Sequence, residues 1–142
     1  VDASYMICEM FSYYATKRIS LLDKLDELYN IYGYFINTLH SYEFNGSAGF
    51  AKMKNIMQLF RGDIKDFGGK KVVQLLDYSI GLNGLPKSNV LKFILEDNCS
   101  LVVRPSGTEP KLKIYISVSA NDKISAEKVE TEISHSAEKY LK

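Results

Sequence analysis

Between residues 112 and 120 the chain alternates strictly. Leu112, Ile114, Ile116 and Val118 face one way; Lys113, Tyr115, Ser117 and Ser119 face the other. A period of two belongs to a strand with one apolar and one polar face. Such a strand fits an antiparallel sheet with a single face laid on a core. A second alternation, Leu91, Phe93 and Leu95, lies within Val90 to Glu96, and Asp97-Asn98-Cys99-Ser100 reads as a tight turn leading into Leu101 to Arg104. Further strands are predicted over Tyr34 to Phe44, where aromatic and β-branched residues crowd together, and over Val72 to Tyr78.

The other periodicity is helical. Ile7, Met10, Phe11 and Tyr14 recur at i, i+3, i+4 and i+7 within Ala3 to Lys17. Ser20 with Asp23 reads as a short capping box for a second helix, whose stripe is Leu21, Leu25, Leu28, Tyr29 and Tyr32 and whose stop is Gly33. Asn45-Gly46-Ser47 breaks the chain before a helix over Ala48 to Phe60, with Phe50, Met53, Met57 and Phe60 expected on its inner face. Gly62, Gly68 and Gly69 mark a loop, and Gly81 to Pro86 a long turn. Asp122 or Ser125 caps a last helix facing inward through Val129, Ile133, Ala137 and Leu141, with Lys128 and Glu132 spaced to pair. The predicted class is α+β: an antiparallel sheet with helices packed on one face, preceded by two helices.

Composition narrows the function. Eighteen Lys and Arg against 17 Asp and Glu leave a net charge of +1, which argues against nucleic acid as the main partner. No segment approaches the roughly 18 consecutive apolar residues of a membrane span. Cys8 and Cys99 match no zinc spacing, and the expected state is two reduced thiols in a cytoplasmic protein, a secreted disulfide being the alternative. His40 and His135 have no Cys or carboxylate at ligand spacing, so no metal site is expected. Ten Tyr and seven Phe fall mostly at core spacings.

Chemistry concentrates in Arg104-Pro105-Ser106-Gly107-Thr108-Glu109-Pro110-Lys111, between two strand-like runs. Arg104 offers a planar fork of donors. Ser106 and Thr108 add hydroxyls, Gly107 permits a positive φ and a close approach, and Pro105 stiffens the turn. Taken alone, the string reads either as a hairpin turn, for which Pro, Ser and Gly are ordinary, or as a nest that binds an anion.

The same string, continued by Leu112-Lys113-Ile114-Tyr115, resembles the phosphate-binding loop of the α-D-phosphohexomutase superfamily, most of all its phosphoglucomutase/phosphomannomutase branch. The resemblance runs upstream through Leu85-Pro86-Lys87-Ser88-Asn89-Val90-Leu91-Lys92-Phe93 and reaches the helical opening, being strongest over about 85–120. It implies a TATA-binding-protein-like C-terminal domain over residues 34–142, with residues 1–33 as the helical tail of a preceding domain and its connection. It also implies an enzyme that interconverts hexose 1-phosphate and hexose 6-phosphate through a phosphoserine, with Mg²⁺ and a hexose 1,6-bisphosphate intermediate and activator. Arg104, Ser106, Gly107 and Thr108 would then hold the substrate phosphate that is not reacting. Lys113 would add a charge, and Glu109 would orient Arg104 or Lys113.

Three loops of that superfamily are missing: the serine-nucleophile string, the Asp-Gly-Asp-Gly-Asp metal loop and the Gly-Glu-Glu-Ser-Gly sugar loop. The chain is therefore expected to carry no catalytic residue and no metal site of its own. Its expected partners are a phosphosugar and the remaining domains of the same enzyme, with no nucleic acid and no membrane. The start at Val1 reads as a processed protein or an excised part of a longer one, and the resemblance favours the excised part. Two alternatives stay open: a phosphoglucosamine mutase fragment, and a stand-alone, non-catalytic module that binds an anion or a protein.

Overall fold

The alternation of the last strand is realised in the computed structural model, which describes residues 1–46, 48–82 and 84–141. Leu112, Ile114, Ile116 and Val118 are each at most 2% exposed, while their polar neighbours are half-buried on the opposite face. Six strands, β1 (Tyr34–Glu43), β2 (Asp66–Phe67), β3 (Lys70–Asp77), β4 (Leu91–Leu95), β5 (Ser100–Pro105) and β6 (Lys111–Ala120), lie in the order β1-β6-β5-β4-β3-β2. Neighbours from β2 through β6 pair antiparallel. β1 runs antiparallel to β6 as well. At one end the Phe44 N–H donates to the Pro110 carbonyl (2.9 Å); at the other, Ser117 Oγ donates to Asn37 Oδ1 (2.7 Å). Asp97 and Asn98 both take positive φ (55° and 57°), the backbone that a tight two-residue hairpin needs to match strand twist.

Helices α3 (Ala48–Phe60) and α4 (Lys123–Glu138) cover the apolar face. Phe60, Phe67 and Phe93 form the aromatic centre, with Phe67 and Phe93 edge to face at 5.0 Å and the Tyr140 ring 5.2 Å from Phe60. Ile133, Ala137 and Leu141 reach this core from the C-terminal helix and its last turn, as the pattern predicts; Val129 is half-buried. Asp122 caps α4, its Oδ1 accepting from the Ser125 N–H at 2.9 Å. β1, at the edge, is tied to α4 by polar contacts: Thr38 Oγ1 and His40 Nε2 meet Glu130 Oε1 at 2.6 and 2.7 Å, and Tyr42 donates to Glu138 at 3.1 Å. Burial, then the Glu138 carboxylate, pushes the Tyr42 phenol up to about 12.

The chain divides into two units, Val1–Tyr34 and Phe35–Lys142. The first holds α1 (Asp2–Thr16) and α2 (Leu21–Tyr32), neither with a buried residue; Ile7, Met10 and Phe11 are exposed. Its capping box is complete: the Asp23 N–H donates to Ser20 Oγ and the Ser20 N–H to Asp23 Oδ2, both at 3.0 Å. Gly33, at φ 87°, ends α2.

Several local expectations differ from the structure. Phe50 is 47% exposed, and the buried face of α3 is Gly49, Met53, Ile56, Met57 and Phe60. Gly49 turns that face inward because it lies against the Phe44 backbone, where a Cβ would stand 2.3 Å from the carbonyl oxygen. The stretch expected as loop contains β2, too short for a period to register. On α4 the i,i+4 ion pair among the described residues is Lys123–Glu127 (3.8 Å), not Lys128–Glu132. None of the ten Tyr is fully buried, because each hydroxyl keeps its side chain at a surface or a polar contact. Ser47 of the expected break and Asn83 of the expected turn lie outside the described residues.

Candidate phosphate-binding site

The β5–β6 connection is a loop closed on itself. Arg104 stands opposite Lys113 and Pro105 opposite Leu112 in the ladder. Beyond them the Ser106 N–H donates to the Lys111 carbonyl and the Lys111 N–H to the Glu109 carbonyl, both at 2.7 Å. Ser106 Oγ accepts from the Thr108 and Glu109 amides at 3.4 and 3.3 Å. These bonds occupy the oxygen of Ser106 as an acceptor and leave its O–H free to donate.

Gly107 corrects one expectation. Its φ is not positive, so the turn does not need glycine for backbone reasons. A Cβ built there would meet nothing within 4 Å. The missing side chain therefore leaves space open to an incoming group.

That space belongs to a cavity of ≈ 480 Å³ between α3 and the loop. Arg104, Pro105, Ser106 and Gly107 form one wall, Phe50, Met53, Lys54 and Met57 of α3 another, and Ser88 with Asn89 a third. No carboxylate, His or Cys stands among these lining residues. The charged groups are two cations, Arg104 and Lys54, a lining whose charge suits an anion and which offers no carboxylate or imidazole base.

The third wall is pinned from behind. Arg61, just past α3, donates through Nε to Asp77 Oδ2 (2.8 Å) and through a terminal nitrogen to Asn89 Oδ1 (2.7 Å). The Ser79 N–H also donates to Asp77 Oδ1, at 2.9 Å. Arg61 first, and the Ser79 amide and side chain after it, hold the Asp77 carboxyl down at about 2. The Asn89 oxygen accepts from Arg61, and Asn89 also lines the cavity.

The structure thus brings Arg104, Ser106 and Gly107 together at one cavity and leaves three expected residues off its lining. Thr108 is not among the lining residues, and its amide donates to Ser106 Oγ. Lys113 neighbours Arg104 across the ladder without lining the cavity. Glu109 makes no ion pair with Arg104 or Lys113 among the described residues; its carboxylate lies 3.5 Å from Lys111 Nζ. Lys111 also meets Glu43 at 2.9 Å, and these acids raise its pKa above the ordinary lysine value. Lys54, Phe50, Ser88 and Asn89 were not expected as site residues. Ser88 and Asn89 lie inside the run whose resemblance is strongest, which is the signal that marks them. Lys54 carries no such mark beyond being a cation between two buried methionines.

Among the described residues no three His, Cys, Asp or Glu side chains cluster closely enough to hold a metal ion, and no helix is long and apolar enough to cross a membrane.

Residues 52–135 match the family model described as phosphoglucomutase/phosphomannomutase, C-terminal domain. The phosphoglucomutase of Staphylococcus epidermidis is 35% identical over 113 residues, 71% of this chain and 20% of that protein. The enzyme of Staphylococcus aureus is 34% identical over 115 residues, covering 72% and 21%. The chain therefore spans about a fifth of the length of these curated relatives. In fold it is similar to the open form of parafusin, a phosphoglucomutase from Paramecium, with a TM-score of 0.53, 21% identity, and 86% of this chain covered against 22% of that one. With the loop, the sheet and more than half of its length matched, the chain belongs to the phosphoglucomutase/phosphomannomutase family and is its C-terminal domain, preceded by two helices.

Proposed function

We propose that this chain supplies the substrate-phosphate site of a phosphohexomutase that interconverts hexose 1-phosphate and hexose 6-phosphate. One observation carries the reading: Arg104, Ser106 and Gly107 meet at a single cavity whose described lining contains no acid. Arg104 grips two phosphate oxygens, the Ser106 hydroxyl donates to a third, and the bare Gly107 backbone lets the group approach closely. Thr108 and Lys113 flank this grip. Held away from the reacting bond, the phosphate contributes binding energy that orients the other end of the sugar.

The phosphoserine, the bisphosphorylated intermediate and Mg²⁺ belong, in this reading, to the domains that complete the enzyme. Among the described residues no cluster of His, Cys, Asp or Glu fits the metal. Residues 1–33 are read as the tail of the preceding domain and its connection. The expected setting is the cytoplasm, and the isolated chain is expected to show no turnover.

The test is Arg104→Ala in the complete mutase. Loss of a hydrogen-bonded charged contact costs about 1.5–3 kcal/mol, so kcat/KM for the sugar phosphate should fall about 10- to 150-fold. The unfolding midpoint should stay put, since Arg104 is exposed and makes no ion pair among the described residues. Unchanged kinetics would end the proposal.

A further inference from the structure

We infer that Lys54 is a second phosphate-gripping residue, the cation that completes the charge balance begun by Arg104; this rests on the phosphate reading above. A sugar phosphate carries close to two negative charges at neutral pH, its second pKa being about 6. Arg104 neutralises one. The described lining offers one other charged side chain, Lys54, and no acid that would compete for it.

Three other cations are engaged elsewhere, and Lys87 and Lys113 do not line the cavity. Lys52 lies over the Phe44 ring at 5.5 Å. Arg61 is held by Asp77 and Asn89. Lys111 lies between Glu43 and Glu109. Lys54 makes no ion pair among the described residues, and its place on α3 is fixed by Met53 and Met57, 7% and 1% exposed, on either side of it in the helix. A flexible ammonium stem on a rigidly packed helix can reach a phosphate without any movement of the backbone. The loop motif marks only one side of the phosphate; the facing cation comes from a helix about 50 residues upstream in the chain.

Glucose 1-phosphate titrated into the full chain, followed by amide chemical shifts, tests this. Lys54→Gln should weaken binding roughly tenfold at about pH 7.5, where the ligand is a dianion, and much less at about pH 5, where it is a monoanion. Lys54→Arg should restore most of the affinity, and Lys52→Gln should leave it unchanged. An equal loss at both pH values would overturn the proposal, because a fold defect does not follow ligand charge. If Lys54→Gln binds normally while Arg104→Ala does not, Lys54 is excluded and the phosphate site stands. If neither variant changes binding, or the unaltered chain shows no shift at about 20 mM ligand, the phosphate reading falls together with the role of Lys54.

Discussion

Asp77→Asn tests whether the clamp behind the cavity is electrostatic. Asp77 is bonded to Arg61 through Nε and, more weakly at 3.4 Å, through a terminal nitrogen. Its carboxyl sits at about 2 against an ordinary 3.8. That depression corresponds to an upper limit of about 2.5 kcal/mol. With a quarter of the side chain exposed, solvent screening reduces this to about 1–2 kcal/mol. The sign follows from the direction of the shift. A depressed acid stabilises the fold above its unfolded pKa, near 4, and loses that contribution as pH falls toward 2. The variant should therefore be about 1–2 kcal/mol less stable than the parent at pH 7, and the gap should close between about pH 4 and pH 2. Urea unfolding of both proteins, followed by far-UV dichroism across that range, measures the gap directly. A constant difference from pH 7 to pH 2 would refute the electrostatic reasoning and leave a shape effect in its place.

Two further outcomes depend on single positions. Gly68 has φ +59°, and a Cβ there would stand 2.4–2.7 Å from the Glu132 and Ile133 backbone; Gly68→Ala should cost about 2–4 kcal/mol in urea unfolding, by pushing β2 away from α4. Ser20→Ala removes one half of the capping box, and should destabilise α2 by about 1 kcal/mol, seen as faster amide exchange at Asp23 while β4–β6 exchange is unchanged.

The parts of the fold legible in the sequence are those with a long, one-sided period. β6 shows its buried face residue by residue, and β4 and β5 are fixed by a turn whose Asp97 and Asn98 tolerate positive φ. β2 was not legible, since two residues make no period. On α3 the pattern through Phe50 fits a helix as well as the true buried face does; what decides between them is the contact of Gly49 with the Phe44 backbone, a tertiary fact. The site divides in the same way. Arg104, Ser106 and Gly107 are read from one contiguous loop, whereas Lys54, Ser88 and Asn89 join it only through packing. For Glu109, charge alone does not choose between Arg104, Lys113 and the Lys111 that it meets.

The two cysteines have a practical consequence. Cys99, 1% exposed in the β4–β5 turn, and Cys8, exposed on α1, are free thiols in different units. A single thiol reagent thus reads two clocks at once: Cys8 reacts at the pace of an open surface, and whatever covers α1 in a longer protein would slow it. Cys99 reacts only when its end of the sheet opens, so its labelling rate is a gauge of domain stability that needs no added probe.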